Sequence, residues 1–345
     1  MLHGVFSGRR NRTIDPTTTR SRLLIRDDTQ PAMKPDVSVI IPTYDRPQKT
    51  RRAINSVLRQ DSIAVELIVV DDASPVPLEL SQEERDRGVR IITQSKNAGP
   101  AAARNAGVAA STAPFIGFLD SDDFFLPDTL ARRVEEARRS GSDARPTLLV
   151  CPAWRWAPGQ SIIQYTPIEA EKASDFVKGC WYCPGSASLF SRETWEAVGP
   201  FDETLRRLED LDWGIRLGLR GGRLRVTSVP AAVIERSPRA GLRNVENASN
   251  ILKARYRPDR SDGLRAEDAH RLRAYLALER ASSSLGEGRW PSFVLNMLAS
   301  FGYRPRLSLH LERWWAIRDG TAEDLASIER LARSLGDTSG ESDRC

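Results

Sequence analysis

The chain has little of the material most redox and metal sites are built from: four cysteines and three histidines in 345 residues. Only Cys180 and Cys183 stand at C-x-x-C spacing, Cys151 and Cys345 lie far from them, and no histidine is nearby. A structural zinc needs four ligands, so the pair reads as two thiols beside a core in a reducing cytosol. No run of about 18 apolar residues is present, so no spanning helix is expected. The start lacks a signal-type apolar core, residues 23–25 being too short, so a cytoplasmic protein is expected. Glycine is missing where a dinucleotide fold needs it. After the first apolar run the chain reads Pro-Thr-Tyr-Asp-Arg-Pro instead of G-x-G-x-x-G, and the P-loop pattern is absent.

Charge is also scarce where it would matter for nucleic acid. The formal net charge is +5, but residues 1–35 hold seven basic and three acidic side chains, which leaves the body nearly neutral. A neutral body is not the footprint of a nucleic-acid binder. The basic head is polar and poor in aromatics, so residues 1–35 are expected to be a disordered tail. Such a tail is either solvated or touches anionic lipid, with peripheral contact at the inner face of a membrane.

What is present is an alternation of short apolar runs and helical stretches. Residues 37–41, 65–70, 89–93, 115–119 and 148–151 read as strands, separated by helices over 50–60, 79–87, 101–110 and 127–139. Such alternation specifies β-α-β units and a mostly parallel, Rossmann-like α/β sheet flanked by helices. Beyond these lie an apolar segment at 187–190, a helix opened near Ser191, a helix over 207–219 and a strand over 224–229. Past residue 243 the pattern reads as wholly helical, with Leu325, Ile328, Leu331 and Leu335 on one face: a core stripe of a C-terminal helical subdomain, or a partner surface.

The chemistry sits at strand ends. Asp120, Asp122 and Asp123 follow the fourth strand directly. Three mutually repelling carboxylates call for a cation or for donors, and an oxygen-only set favours Mg²⁺ or Mn²⁺. The bland alternative is a solvated acidic turn. Pro42, Thr43 and Tyr44 follow the first strand, Asp71 and Asp72 the second, and Asn97 and Gly99 the third. In a parallel sheet these ends share one edge, where open α/β sheets bind ligands. The D-x-D-x-[T/V] pattern of a phosphohydrolase is only approached, because Asp123 stands at its last position.

Together the segments 37–46, 69–74, 97–105 and 119–123 resemble the glycosyltransferase family 2 signature, with Gly-Pro-Phe-Asp-Glu at 199–203 and Glu-Asp-Leu-Asp-Trp at 209–213 similar to its acceptor-side motifs. The resemblance runs from about residue 36 to residue 229. It implies a GT-A fold and a nucleotide-sugar donor, most naturally a UDP-sugar, with GDP- and dTDP-sugars as alternatives. Residue by residue it places Pro42, Thr43, Tyr44 and Asp72 at the base, Asp71 in support, and Asn97 and Gly99 in the donor loop. It puts Arg104 near the pyrophosphate and Asp120 on the ribose or sugar. Asp122 would hold the metal, with Asp123 auxiliary, and Asp210 would be the general base, with Glu209 next. All the acids at 209–212 could instead be first-turn charges on a helix.

The implied organisation is a GT-A domain over 36–240 (donor half 36–125, acceptor half 126–240) followed by a helical region over 241–345. Processive relatives carry Gln-x-x-Arg-Trp, whereas Arg289-Trp290 here follows Leu-Gly-Glu-Gly. A single inverting transfer to a polysaccharide, lipid-linked glycan or protein hydroxyl is therefore expected. The alternatives are a metal-dependent phosphohydrolase and a non-catalytic sugar-nucleotide binder.

Overall fold

The structure is a computed structural model, and it describes residues 34–141, 144–182, 185–236, 241–260, 263–309 and 313–336. The expected N-terminal tail, apart from its last two residues, lies outside the described residues, as do Cys183 and Cys345.

Chain order begins β1 (Val37–Thr43), α1 (Pro47–Leu58), β2 (Val65–Asp71), α2 (Gln82–Asp86), β3 (Arg90–Thr93), α3 (Pro100–Ala110) and β4 (Phe115–Phe118). It continues with β5 (Phe124–Phe125), α4 (Leu130–Ser140), β6 (Thr147–Val150), β7 (Ala153–Trp156), β8 (Ile163–Pro167), α5 (Ala173–Phe176), β9 (Ser188–Ser191), α6 (Arg192–Val198) and α7 (Glu209–Leu219). The last elements are β10 (Arg223–Val226), β11 (Ala232–Glu235), α8 (Leu242–Arg255), α9 (Ala266–Gly286), α10 (Trp290–Tyr303), α11 (Pro305–Ser308), β12 (Trp315–Asp319) and α12 (Ala322–Gly336).

Seven strands form the main sheet in the order β10-β6-β9-β4-β1-β2-β3. β1 pairs in parallel with β2 and β4, and β2 with β3, while β9 runs antiparallel between β4 and β6. β1 is apolar and buried along almost its whole length, as a strand covered on both faces must be. The chain winds outward from β1 to β3 and then returns to place β4 on the other side of β1. That reversal is the switch point at which loops diverge and leave a crevice. α3 seals one face beside it, and Gly107 allows the approach: a Cβ there would stand 2.4 Å from Ile40 Cγ2.

A second sheet of five strands, β12-β8-β7-β11-β5, was not expected. β12 corrects the reading of an all-helical C-terminus, since it pairs antiparallel with β8 from Trp315 opposite Pro167 to Asp319 opposite Ile163. This sheet packs Phe124, Trp154 and Trp156 against the α12 stripe, where Ile328 and Leu335 are buried and Leu325 and Leu331 half-buried. α12 also lies against α1, whose Asn55 donates to Leu335 O at 2.7 Å. α8 and α9 instead share the larger core, through Leu252 and Leu272, with Phe118, Phe190 and Trp213 of the main sheet and α7.

Candidate active site

The C-terminal ends of β1 to β4 and the start of α7 enclose an open cleft of about 670 Å³. Pro42 and Thr43 line it from the last residues of β1, Tyr44 from just after β1, and Asp72 from just after β2. Asn97, Gly99 and Arg104 come from the entry of α3, Asp120 and Asp122 from the turn after β4, and Glu209 from α7. Asp71, Asp123 and Asp210 do not line it.

Asp71 lies beneath the floor. Its oxygens accept Ser74 N–H at 2.9 Å, Ser74 Oγ–H at 2.5 Å and Leu78 N–H at 3.1 Å, which fixes the turn after β2. Ser74 Oγ in turn accepts Asp45 N–H at 2.9 Å, so the β1 and β2 turns are tied together. Asp72 places one oxygen on Ala98 N–H and the other on Gly99 N–H, both at 2.7 Å. Gly99 caps α3 with φ of +91°, a conformation that favours glycine. A carboxylate has about four acceptor sites, so Asp72 retains capacity for a ligand donor. Tyr44 stays exposed at the rim, with its ring available for stacking.

The acidic turn is held from several sides. Asp120 accepts Arg104 Nη2 at 2.7 Å, and Asp122 accepts Arg46 Nη1 at 2.7 Å. Asp123 turns inward and accepts Ser186 Oγ–H and, at 2.9 Å, Glu235 N–H from the second sheet. Burial first, then the charges of Asp120 and Asp122, push the Asp123 carboxyl well above the usual range. Arg52 donates to Asp122 O at 2.6 Å and to Glu235, with its guanidinium 5.0 Å from the Phe124 ring centre and 5.5 Å from that of Trp156.

Across the cleft, Arg104 is buried and bridges the two walls, donating to Asp120 and, at 2.9 Å, to Glu209 Oε1. Burial opposes its charge, but Asp120 and Glu209 outweigh burial and raise its pKa. Burial and then the neighbouring Asp210 raise the Glu209 carboxyl, against the pull of Arg104. Leu208, in the left-handed region at φ of +63°, turns the chain into α7 and separates the paired arginines from the paired acids. Asp210 faces another way: it accepts Leu211 N–H at 2.7 Å, and its carbonyl accepts Tyr182 OH at 2.9 Å. Asp212 belongs to the core, where Arg216, Arg255 and Tyr256 hold it.

Arg46, Arg206, Arg207 and Asn244 also line the cleft, although the sequence reading assigns them no role. Arg206 clamps the donor loop through Asn97 Oδ1 and Asn97 O, both at 3.0 Å. Arg206-Arg207 directly before the acidic pair was the available signal, whereas Asn244 on α8 carries none. Cys180 is free, and burial, then Asp210, push its thiol up, the opposite of a metal-bound or reactive thiolate.

The glycosyl transferase family 2 model matches residues 38–197. The uncharacterized glycosyltransferase YwdF of Bacillus subtilis is 30% identical over 204 residues, covering 57% of this chain and 72% of that protein. The chain belongs to glycosyltransferase family 2. Another relative from this comparison, the succinoglycan biosynthesis protein ExoO of Rhizobium meliloti, is 40% identical over 109 residues, 31% of each chain. The chain thus spans between about a third and about half of the first curated relatives it matches. Among solved structures, S. aureus TarS 1–349 in complex with UDP-GlcNAc superposes with a TM-score of 0.56 at 18% identity, over 88% of both chains. That likeness establishes the GT-A fold of this family 2 chain.

Among the described residues no group of three or more His, Cys, Asp and Glu side chains is arranged to hold a metal ion alone. The cleft offers two carboxylates, Asp120 and Asp122, backed by a third whose raised pKa registers their negative field. That oxygen-only set fits a hard cation which draws its remaining ligands from phosphate and water.

Proposed function

We propose that this chain moves one sugar from a nucleoside-diphosphate sugar to an acceptor hydroxyl by single displacement, with inversion at the anomeric carbon. The observation that carries the reading is the meeting of Tyr44, Asp72, Asp122 and Glu209 around one cleft, although up to 165 residues separate them in sequence. Thr43 and Tyr44 would flank the base, with Asp72 accepting from its imide and Asn97–Gly99 closing the loop beneath. Asp71 stiffens the base turn from below, as its bonds to Ser74 and Leu78 support. A UDP-sugar is the first choice, since a structural neighbour binds UDP-GlcNAc.

The diphosphate lies toward Asp120 and Asp122, which would hold Mg²⁺ or Mn²⁺, with Asp123 as the inner brace. The cation would supply Lewis-acid stabilisation of the departing phosphate charge. Arg104 adds a fixed positive charge on the same side and cannot deprotonate. Arg46, half-exposed, is the side chain that would yield Asp122 on ligand entry. The acceptor hydroxyl is a poor nucleophile and needs a carboxylate to take its proton. Of the two acids expected for this role Glu209 lines the cleft and Asp210 does not, so Glu209 is assigned as the base, oriented by Arg104, and Asp210 would serve only if its carboxylate turned from Leu211 N–H into the cleft. A growing polysaccharide is the favoured acceptor, because a relative acts in succinoglycan biosynthesis.

The test is to incubate the chain with Mn²⁺ or Mg²⁺ and a panel of nucleotide sugars, measuring nucleoside diphosphate release and, with acceptor, product anomeric configuration by NMR. Release of nucleoside diphosphate and inverted product are expected. Inorganic phosphate from simple phosphoesters would mean a phosphohydrolase, and binding without turnover a non-catalytic binder.

A further inference from the structure

Helix α10 is amphipathic in the wrong sense for a surface helix. Its polar residues recur every four positions and face the protein: Asn296 and Ser300 are buried and Ser292 half-buried. Ser292 shares a hydrogen bond with Ser284 of α9 at 2.9 Å, and Ser300 Oγ–H donates to Ala274 O at 2.8 Å. The apolar residues point outward instead, with Trp290 62%, Leu295 67% and Leu298 64% exposed, and Val294 and Phe301 beside them. Among the described residues nothing covers this face. A globular surface helix normally does the reverse, so a contiguous outward apolar strip marks a contact surface.

Charge and length identify what it contacts. From Gly288 to Leu309 the chain holds Arg289, Arg304 and Arg306 and no acid. Trp290 and Tyr303 stand at opposite ends of the helix, residue types that settle at the headgroup level of bilayers. At 14 residues α10 is about 21 Å long, too short to cross a hydrocarbon core of about 30 Å. Self-association is disfavoured by the same charges. Arg289 is held by Glu287 at 3.0 Å, so the remaining positive charge sits at the Arg304–Arg306 end, and the strip of a second copy offers no acid to meet it.

We propose that α10 docks the enzyme flat on an anionic phospholipid surface. The outward residues Trp290, Leu295, Leu298 and Phe301 enter the acyl boundary, and Arg306 lies on the headgroups. The inference is independent of the reaction assigned to the cleft.

The experiment is co-sedimentation of the full chain with vesicles of phosphatidylcholine alone and of phosphatidylcholine with 30 mol% phosphatidylglycerol. Wild type is expected to sediment with the anionic vesicles and to be released by high salt. The exposed pair Leu295→Glu/Leu298→Glu should lower vesicle affinity at least tenfold, with unchanged thermal melting and nucleotide-sugar hydrolysis, and Arg306→Glu should lower it severalfold. Wild type that ignores anionic vesicles overturns the proposal, as does a double variant that binds them as well as wild type. So does a wild-type dimer by light scattering that the double variant converts to monomer, which would assign the strip to a second copy.

Discussion

The two sheets divide the work of the site unequally. The main sheet places ligand-facing groups: its parallel strands end together, with Thr43 closing β1, Asp72 directly after β2 and Asp120 two residues after β4. The second sheet contributes none of the cleft's carboxylates, yet it grips the acidic turn from behind through Glu235 N–H on Asp123 and through Arg52 on both Asp122 O and Glu235. Placement and bracing are thus carried by different parts of the fold. A long buried strand fixes where a loop starts, and a cross-sheet bond fixes where its third carboxylate points.

The comparison can be broken most forcefully on the placing side. Asp122→Ala is expected to lower metal-dependent turnover by about 100-fold or more, the scale of losing several kcal/mol of charge stabilisation, while thermal melting stays within a degree or two. Wild-type kinetics in Asp122→Ala would move the metal elsewhere. Arg104→Met tests the link between the walls. It strands buried Glu209 and should cost about 3–5 kcal/mol of stability in urea unfolding, with activity lost at the same time.

Arg52→Met sharpens the distinction, because it removes the brace without touching the cleft lining. Turnover should fall roughly tenfold, about 1.4 kcal/mol, mainly through weaker metal-dependent donor binding. An unchanged metal dependence in Arg52→Met would show that the Arg52 link from α1 to Glu235 is not needed to aim the turn. The smallest effect concerns pH. Burial raises Glu235, but hydrogen bonds and charge from Arg52 and Lys49 outweigh burial and hold its pKa below the ordinary 4.5. A carboxylate lowered in the folded state adds stability above its unfolded pKa and loses it as pH falls through the folded value. Glu235→Gln should therefore be less stable than wild type by under about 1 kcal/mol at pH 6, with the gap closing toward pH 3. A gap that widens in acid would reverse the assignment.

The same division explains what could be read from the chain alone. β1, β2 and β4 are runs of Val, Ile and Phe buried on both faces, and each ends in a polar motif, so their order and their shared edge are legible. The second sheet is built from strands of two to five residues whose partners are remote, such as Ala232 against Ala153 and Trp315 against Pro167. Short segments of mixed exposure carry no period, and β12 is lost inside a stretch whose flanks are helical. The α12 stripe is readable as an apolar face, but nothing local says that it packs on α1. At the site, residue types were legible and directions were not. Asp71, Asp123 and Asp210 sit in the expected motifs, yet none lines the cleft: Asp71 turns to nearby Ser74, and Asp123 to Ser186, 63 residues away.

The most direct test is a crystal structure of the chain soaked with UDP and Mn²⁺. Uracil is expected beside Tyr44 and Asp72, with the cation held at Asp122 and Arg46 released from Asp122. Nucleotide bound elsewhere, for instance in the cavity of about 450 Å³ between Phe115, Thr147 and Thr194 at the other end of the strands, would contradict this placement.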